Sequence, residues 1–589
     1  MSSAFFTSFK KLKIELFYVL MAAYFFLCIY YAFERMLNMD SSLQLFQIIN
    51  YKNFFFQENR FGVWLTQLPL LFSIYIHLPI KFLVYIYSIS FPLEYLLIIW
   101  VNYKVFKSRE AALATILSLI FGVAFTFYHS ITETHQLLAL SCLLYGLLQS
   151  KERFIKAYIF YIALILLLIW CLFTHPNAVF TISFVVGLAF LQKKISRFDL
   201  LLSIFLSLVF IAVKIYLTHK DSYDSKQYDQ LLNFKETLPH FFSLYSFRFL
   251  YTKLSTIYLA GSFVVIMVLI KYKRFNELLF CTICFLIFTV LTILTFSNGD
   301  CDAIMEKSFM PGFFMFILLY CILLYQAKNK FIYYIIALLL SFSSFINIVN
   351  AGKPHTQRLN LLSEIMKKMD KQTPKLIVSY SDFDETLKFN HWATSLDVLI
   401  FSLCKSDTAK TIFYIDNKYT YAADTTNPNL FLYLPWNPRG IKTFNTVYFN
   451  LPNRSYKLYN NPKKIYLKSR SGKFVCTDVA LKNIAIANRD NASDWETFYL
   501  ITLGNDKIAI QSFDHHNYVC AELNNQSEIW APRDKIGPWE TFTLVKLDSN
   551  FVALKAANGK YVIVNEKSLQ LYASGDSIGK QEKFEMIFK

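Results

Sequence analysis

The sequence predicts a polytopic α-helical membrane domain of about eleven transmembrane helices, then a small outer α/β module, then a closed three-fold β domain. Three observations carry this. Apolar stretches of bilayer-spanning length recur through the first 350 residues. The chain is 55% apolar and only 17% charged, with mean hydropathy +0.36, where an ordinary soluble domain is about 25% charged. Three similar segments recur near the end, with starts 43 and 44 residues apart. The expected boundaries are 1–352, 353–460 and 461–589. Sixty Phe and 38 Tyr against 15 Gly and 15 Pro exclude disordered and collagen-like classes.

The first span, 14–31, follows Lys10, Lys11 and Lys13 with no small-residue cleavage site, so it reads as an uncleaved anchor. Further spans are expected at about 77–103, 110–128, 132–149, 154–174, 177–192, 198–218, 252–271, 275–297, 306–326 and 329–350. The stretch 62–76 is short and interrupted by Pro69. If it does not cross, every basic loop from Lys104-Lys107-Arg109 to Lys328-Lys330 falls on the side of the N-terminus, which the positive-inside rule makes cytoplasmic. It therefore reads as a re-entrant or interfacial helix. The loops 33–61, 129–132, 175–176, 219–251 and 298–305, and everything after about 351, are then extracytoplasmic. Part of the +18 net charge is this cytoplasmic rim, so membrane lipid rather than nucleic acid is the expected partner. Cys281 and Cys284 form a C-x-x-C inside an apolar run with no His nearby, and read as small hydrophobes.

Residues 354–460 alternate helical and strand patterns: an amphipathic RLNLLSEIMKKMD, a strand-like KLIVSYS, a helical SLDVLIFSLC and a strand-like TIFYI. His391 and Trp392 there read as a packing surface. In 463–589, the segments 465–478, 508–522 and 552–565 align, and each is followed by a second match (495–500, 539–544, 582–587). Alternating apolar residues with Gly, Asn and Asp turns give short strands, and three units suit closure without free edges. The GKFV at 472–475, NYV at 517–519 and GKYV at 559–562, each leading to a W/E-x-F strand, resemble a fascin-like β-trefoil. That resemblance implies a C-terminal trefoil binding glycan or a protein partner, with His515, His516, Trp530 and Tyr561 as surface candidates. Cys476 and Cys520 occupy equivalent repeat positions and read as core residues.

Ionisable groups at a membrane edge are costly and point to function. Asp40 follows the first span. Glu133 and His135 lie at the outer end of the fourth, in YHSITETHQLL. His175-Pro176 caps the fifth, and Asp300, Asp302, Glu306 and Lys307 precede the tenth. All fall on one face in this topology.

The many spans, the acidic Asp40 in a first outer loop, the Ser130–His135 site and the EKSFMP at 306–311 resemble the type-C polytopic glycosyltransferases. Their sugars come from polyprenyl-phosphate donors. EKSFMP corresponds to the family's E-R-Y-x-x-P, with Lys307 where Arg meets lipid phosphate; Lys is only a point charge there. The family's D-x-D or E-D pair is absent, since Ser41-Ser42 follow Asp40, and this leaves a divalent metal cofactor open. The resemblance implies an inverting transfer at the extracytoplasmic face to a glycan, lipid or protein acceptor. Asp40 would take the acceptor proton and Lys307 would stabilise the lipid phosphate. Glu133, His135, His175, Asp300 and Glu306 would bind substrate.

No G-x-x-x-x-G-K-[ST], G-x-G-x-x-G or H-E-x-x-H occurs, which argues against ATP-driven, dinucleotide and zinc-hydrolase chemistry. The alternatives are a transporter or flippase of lipid-linked glycan, expected to show inverted repeats and charges at mid-bilayer, and a non-catalytic membrane scaffold, expected to lack an outer acidic cleft.

Overall fold

A computed structural model describes residues 15–130, 133–153, 156–217, 223–254, 265–266, 269–270, 272–327, 331–379, 391–406, 408–415, 427–434, 437–459, 463–504, 506–513, 517–533, 536–547 and 550–589. The basic residues Lys10, Lys11, Lys13, Lys328 and Lys330, most of the expected span at 252–271, the side chain of His391, and His515 and His516 lie outside these residues. The chain divides into two compact units. One comprises residues 1–375, 386–413 and 421–456, the other 376–385, 414–420 and 457–589.

The first unit is helical. Among the described residues, five helices are long and apolar enough to cross a membrane: Ile80–Val105, Arg197–Leu217, Phe275–Thr295, Asp302–Gln326 and Phe331–Lys367. Tyr18–Tyr30, Phe61–Tyr75, Ala157–Leu172 and Ala178–Leu191 are apolar but shorter. The expected span at 110–128 is instead a 12-residue helix, Arg109–Ile120, capped by the Ser108 hydroxyl, which accepts from the Ala111 N–H. It is buried throughout after its first two residues. The 12-residue helix Trp64–Tyr75, carrying Pro69, rises about 18 Å and cannot cross a bilayer upright. The helix that begins at Phe331, expected to end near 350, does not stop there. It runs unbroken for 37 residues through Pro354, absorbing most of the amphipathic stretch expected as a separate helix.

The core of this unit runs from Met21 to Ile348. From Phe121 to Ser130 the chain runs as an irregular segment that contributes Phe121, Val123, Phe127 and Tyr128 to this core. Glu306 holds that segment: its carboxylate accepts from the N–H groups of Ala124 (2.9 Å), Phe125 (3.1 Å) and Thr126 (3.1 Å), and from the Thr126 hydroxyl. At its far end the Tyr128 hydroxyl donates to the Ile348 carbonyl at 3.0 Å. Gly352, one turn on, permits this approach, since a Cβ there would sit 2.2 Å from that hydroxyl oxygen.

The later segments of this unit pack on the helix Asp40–Tyr51. They include the helix Thr394–Lys405 and the antiparallel strands Leu430–Leu434 and Asn437–Gly440. The Phe46 ring sits 4.9 Å from Phe449 and 5.5 Å from Phe444. Asn50 accepts from the Asn445 N–H at 2.8 Å and donates to the Thr443 carbonyl at 3.3 Å.

The second unit is β-rich. A short parallel contact pairs Leu376 with Lys457 and Ile377 with Leu458. Among the described residues twelve strands follow: β1 (Lys463–Ser469), β2 (Phe474–Asp478), β3 (Ile484–Arg489), β4 (Phe498–Gly504), β5 (Lys507–Gln511), β6 (Tyr518–Glu522), β7 (Glu528–Arg533), β8 (Phe542–Lys546), β9 (Phe551–Lys555), β10 (Tyr561–Val564), β11 (Leu571–Gly575) and β12 (Phe584–Phe588). Each repeat supplies four. The outer strands of the repeats pair in a ring: β1 with β4, β4 with β5, β5 with β8, β8 with β9, β9 with β12, and β12 back with β1. The inner strands form three hairpins, β2–β3, β6–β7 and β10–β11. Gly472 and Gly559, at φ +83° and +79°, make the tight turns of equivalent repeat positions. Alternating residues, among them Ile465, Leu467, Ile508, Ile510, Val552 and Leu554, fill the interior. Cys476 and Cys520 are buried free thiols.

Candidate functional site

The residues singled out by sequence divide into those the helical unit gathers and those it does not. Asp40 opens the helix Asp40–Tyr51, where the exposed amides of a helix start favour a carboxylate. The residue before it, Met39, has φ +47° and ψ −118°, a sparsely populated geometry costing about 1–3 kcal/mol for a non-glycine residue. Asp40 keeps a third of its side-chain surface exposed, and its Oδ2 lies 3.3 Å from Nε2 of the buried His129. Burial alone would push the carboxyl up. The His129 imidazole and the positive charges of Lys307 and Arg60 outweigh that and hold it below the ordinary carboxylate value.

Glu133 starts the helix Glu133–Gln149 and is buried. Its Oε2 pairs with Arg60 Nη1 at 3.2 Å. Arg60, Lys307 and His175 line a cavity of about 280 Å³ together with Thr134, Asn177 and Gln227. The remaining wall is largely apolar, with Phe180, Ile211, Ile215, Leu231, Leu291 and Phe296. His175 Nδ1 accepts from the Asn177 N–H at 3.1 Å, which puts the proton of a neutral ring on Nε2. Burial, then the charges of Arg60, Lys214 and Lys307, holds His175 well below the ordinary imidazole value, so the ring is neutral at pH 7. Lys214 is buried, with Nζ 3.4 Å from the Leu172 carbonyl. Lys307 is half-buried, and among the described residues no carboxylate forms an ion pair with it.

The arrangement thus sets two cations, Arg60 and Lys307, and a neutral histidine around a largely apolar cavity, with the partly exposed Asp40 carboxylate outside the lining but in electrostatic reach. Arg60's charge is balanced by Glu133. The surplus suits an anionic head group attached to an apolar chain.

The other sequence candidates lie elsewhere. Glu306 faces the backbone of Ala124–Thr126. His135 lines a separate cavity of about 20 Å³ with Glu94 and Arg35, and its carbonyl accepts from the Tyr95 hydroxyl at 2.6 Å. Asp300 and Asp302 do not line the large cavity; the Asp300 Oδ1 accepts from the Cys301 N–H at 2.7 Å. Arg60, His129 and Lys214 were not singled out by sequence. His129 carried a readable signal, being an ionisable group beside Glu133 and His135 at the edge of an apolar run. Arg60 and Lys214 carried none, because what matters is their nearness to residues far along the chain. Among the described residues no group of three or more His, Cys, Asp or Glu is placed to hold a metal ion.

In the β unit, the first two repeats share an ion-pair pattern. Arg489 pairs with Asp478 (3.3 Å) and Glu496 (3.6 Å), and Arg533 pairs with Glu522 (2.8 Å) and Glu540 (2.9 Å). In the third repeat the corresponding residue is Gly575. Trp530, expected at the surface, has its indole N–H buried, and Tyr561 pairs in β10 as a half-buried strand residue. Trp495 is half exposed and stacks on Phe513 with centroids 6.4 Å apart.

Residues 516–589 match an FRG1-like domain. No curated protein matches the chain. Among solved structures, a designed 3-fold symmetric protein, ThreeFoil, is 16% identical with a TM-score of 0.20, covering 21% of this chain and 97% of its own. SeviL bound to asialo-GM1 saccharide is 13% identical with a TM-score of 0.19, covering 22% and 98%. A Polyporus squamosus lectin bound to a human-type influenza-binding epitope is 10% identical with a TM-score of 0.20, covering 22% and 49%.

Proposed function

We propose that the chain is an integral-membrane glycosyltransferase that moves a sugar from a polyprenyl-phosphate donor to a glycan, lipid or protein acceptor at the extracytoplasmic face. The observation that carries this is the apolar cavity of about 280 Å³ ringed by Arg60, Lys307 and His175, with the Asp40 carboxylate under the influence of two of those cations. In this reading about eleven segments cross the membrane, one of them the helix Arg109–Ile120 together with the irregular stretch after it, the N-terminus is cytoplasmic and the C-terminal units are outside. The polyprenyl chain lies against the apolar wall of Ile211, Ile215 and Leu291.

The chemistry follows from charge. As the sugar–phosphate bond lengthens, the sugar gains positive character and the phosphate goes from one negative charge to two. Lys307 stabilises that second charge, and the neutral His175 offers an N–H to a phosphate oxygen. Asp40, held ionised, takes the proton from the attacking hydroxyl. His129 beside it fixes the carboxylate and stabilises its charge.

The closed six-strand ring, the three hairpins and the FRG1-like match support reading residues 461–589 as a fascin-like β-trefoil that engages a glycan or a protein partner.

The test compares wild type and Asp40→Asn in membranes, following sugar transfer from a labelled polyprenyl-phosphate donor. Asp40→Asn is expected to lose nearly all transfer while retaining expression and thermal stability. Full transfer by a folded Asp40→Asn protein removes Asp40 and this mechanism.

A further inference from the structure

The corner that presents Asp40 is held by residues that do not line the cavity. Leu37 and Asn38 precede the uncommon Met39 geometry. The Asn38 amide donates to the Tyr128 carbonyl at 2.9 Å, tying the corner to the segment that carries His129. The Leu37 carbonyl accepts from Arg358 Nη1 at 3.1 Å. The other arm of the same guanidinium, Nη2, is 2.5 Å from Asp397 Oδ2 and 3.3 Å from the Thr394 hydroxyl. Both ionic side chains are buried, at 3% and 0% exposure. Arg358 stands near the end of the helix Phe331–Lys367 and Asp397 on the helix Thr394–Lys405, so two late segments meet at an early loop. Farther along, Phe46 and Asn50 hold the helix of Asp40 to the segments around Phe444 and Asn445.

We infer that Arg358 and Asp397 are positioning residues for proton transfer. Asp397 neutralises and aims Arg358, and Arg358 pins the Leu37 carbonyl. The Met39 turn then delivers the Asp40 carboxylate to its place beside His129. This use of the later segments rests on the reading of Asp40 as the base. A buried pair is not needed for stability alone, since an apolar pair of similar volume replaces such pairs at little cost. What an apolar pair cannot supply is the hydrogen bond to Leu37.

The experiment uses the full chain in detergent or nanodiscs. Four proteins are compared: wild type, Arg358→Lys, the double variant Arg358→Met with Asp397→Leu, and Asp40→Asn. Thermal unfolding identifies those that fold, and kcat and the donor KM are then measured separately. The double variant is expected to fold, to keep a donor KM near that of wild type, and to lose about 10- to 100-fold in kcat, the scale for a misplaced reacting group. Arg358→Lys, which retains charge but not the fork, is expected to fall between. A folded double variant with wild-type kcat, or one whose only change is a higher KM, overturns the positioning role. If Asp40→Asn is itself fully active, the glycosyltransferase reading fails first; if it is dead while the double variant is normal, only the present inference fails.

Discussion

Replacing Lys307 with Met tests the cavity most directly. Arg60's charge is balanced by Glu133 at 3.2 Å, and Lys214 is held near the Leu172 carbonyl. Lys307 is left as the cation without a carboxylate partner that lines the cavity. A charge-assisted hydrogen bond is worth about 1.5–3 kcal/mol, so losing it should lower kcat/KM roughly 10- to 150-fold. Because the phosphate's charge grows as the bond breaks, most of the loss should appear in kcat. Lys307 also helps hold Asp40 ionised. Without it, the acid limb of the pH–rate profile should move to higher pH. The assay is the initial rate of transfer from a labelled polyprenyl-phosphate sugar, at several donor concentrations and pH values. Lys307→Arg should recover part of the rate. A Lys307→Met protein within about threefold of wild type, with an unmoved acid limb, would refute the assignment of Lys307 to the leaving phosphate.

Other expectations concern stability. Both carboxyl oxygens of Glu94 are buried without a hydrogen-bond partner, so Glu94→Leu should raise the unfolding temperature, by about 1–3 kcal/mol in stability; a lower temperature would show that the carboxyl has a partner. Gly352→Ala would put a methyl 2.2 Å from the Tyr128 hydroxyl oxygen and should destabilise the fold, with Tyr128→Phe relieving part of the loss. Burial pushes the Lys375 amine down to about 8. Its unfolded form binds the proton more tightly than its folded form, so this group's contribution to stability rises with pH between about 8 and the ordinary lysine value near 10.4. The wild-type minus Lys375→Met difference in unfolding free energy, measured across that range, should show the slope. In the β unit, Arg533→Ala strands the buried Glu540 and should cost roughly 1–3 kcal/mol after allowing for the guanidinium's partial exposure. Lys560→Ala breaks an exposed pair with Asp576 and should cost about 0.5 kcal/mol or less in the same denaturation experiment.

Much of the architecture was legible because it is written in short-range pattern. The repeat starts at 465, 508 and 552 fall in β1, β5 and β9. KLIVSYS, SLDVLIFSLC and TIFYI became strand, helix and strand, in Lys375–Ser379, Thr394–Lys405 and Thr411–Ile415. Hydropathy does not fix where within an apolar run the helix ends, so the stretch expected as helix over 110–128 is helical only over Arg109–Ile120. The candidate cavity was legible where a costly charge stood at the edge of an apolar run, as with His175 and Lys307, which line it. Glu306 met the same criterion, yet its carboxylate is occupied by three backbone N–H groups, a partnership with no trace in neighbouring residues. Arg358 and Asp397 meet across sequence distances that no local pattern reports.

The pairing of β12 with β1 gives the C-terminal unit a topological consequence. Like a hoop with its clasp at the join, the β unit depends on its last strand to meet its first. Removal of Phe584–Phe588 would not trim one side. It would bare the flanks of β1 and β9 together and turn a self-contained body into a template for pairing with other chains.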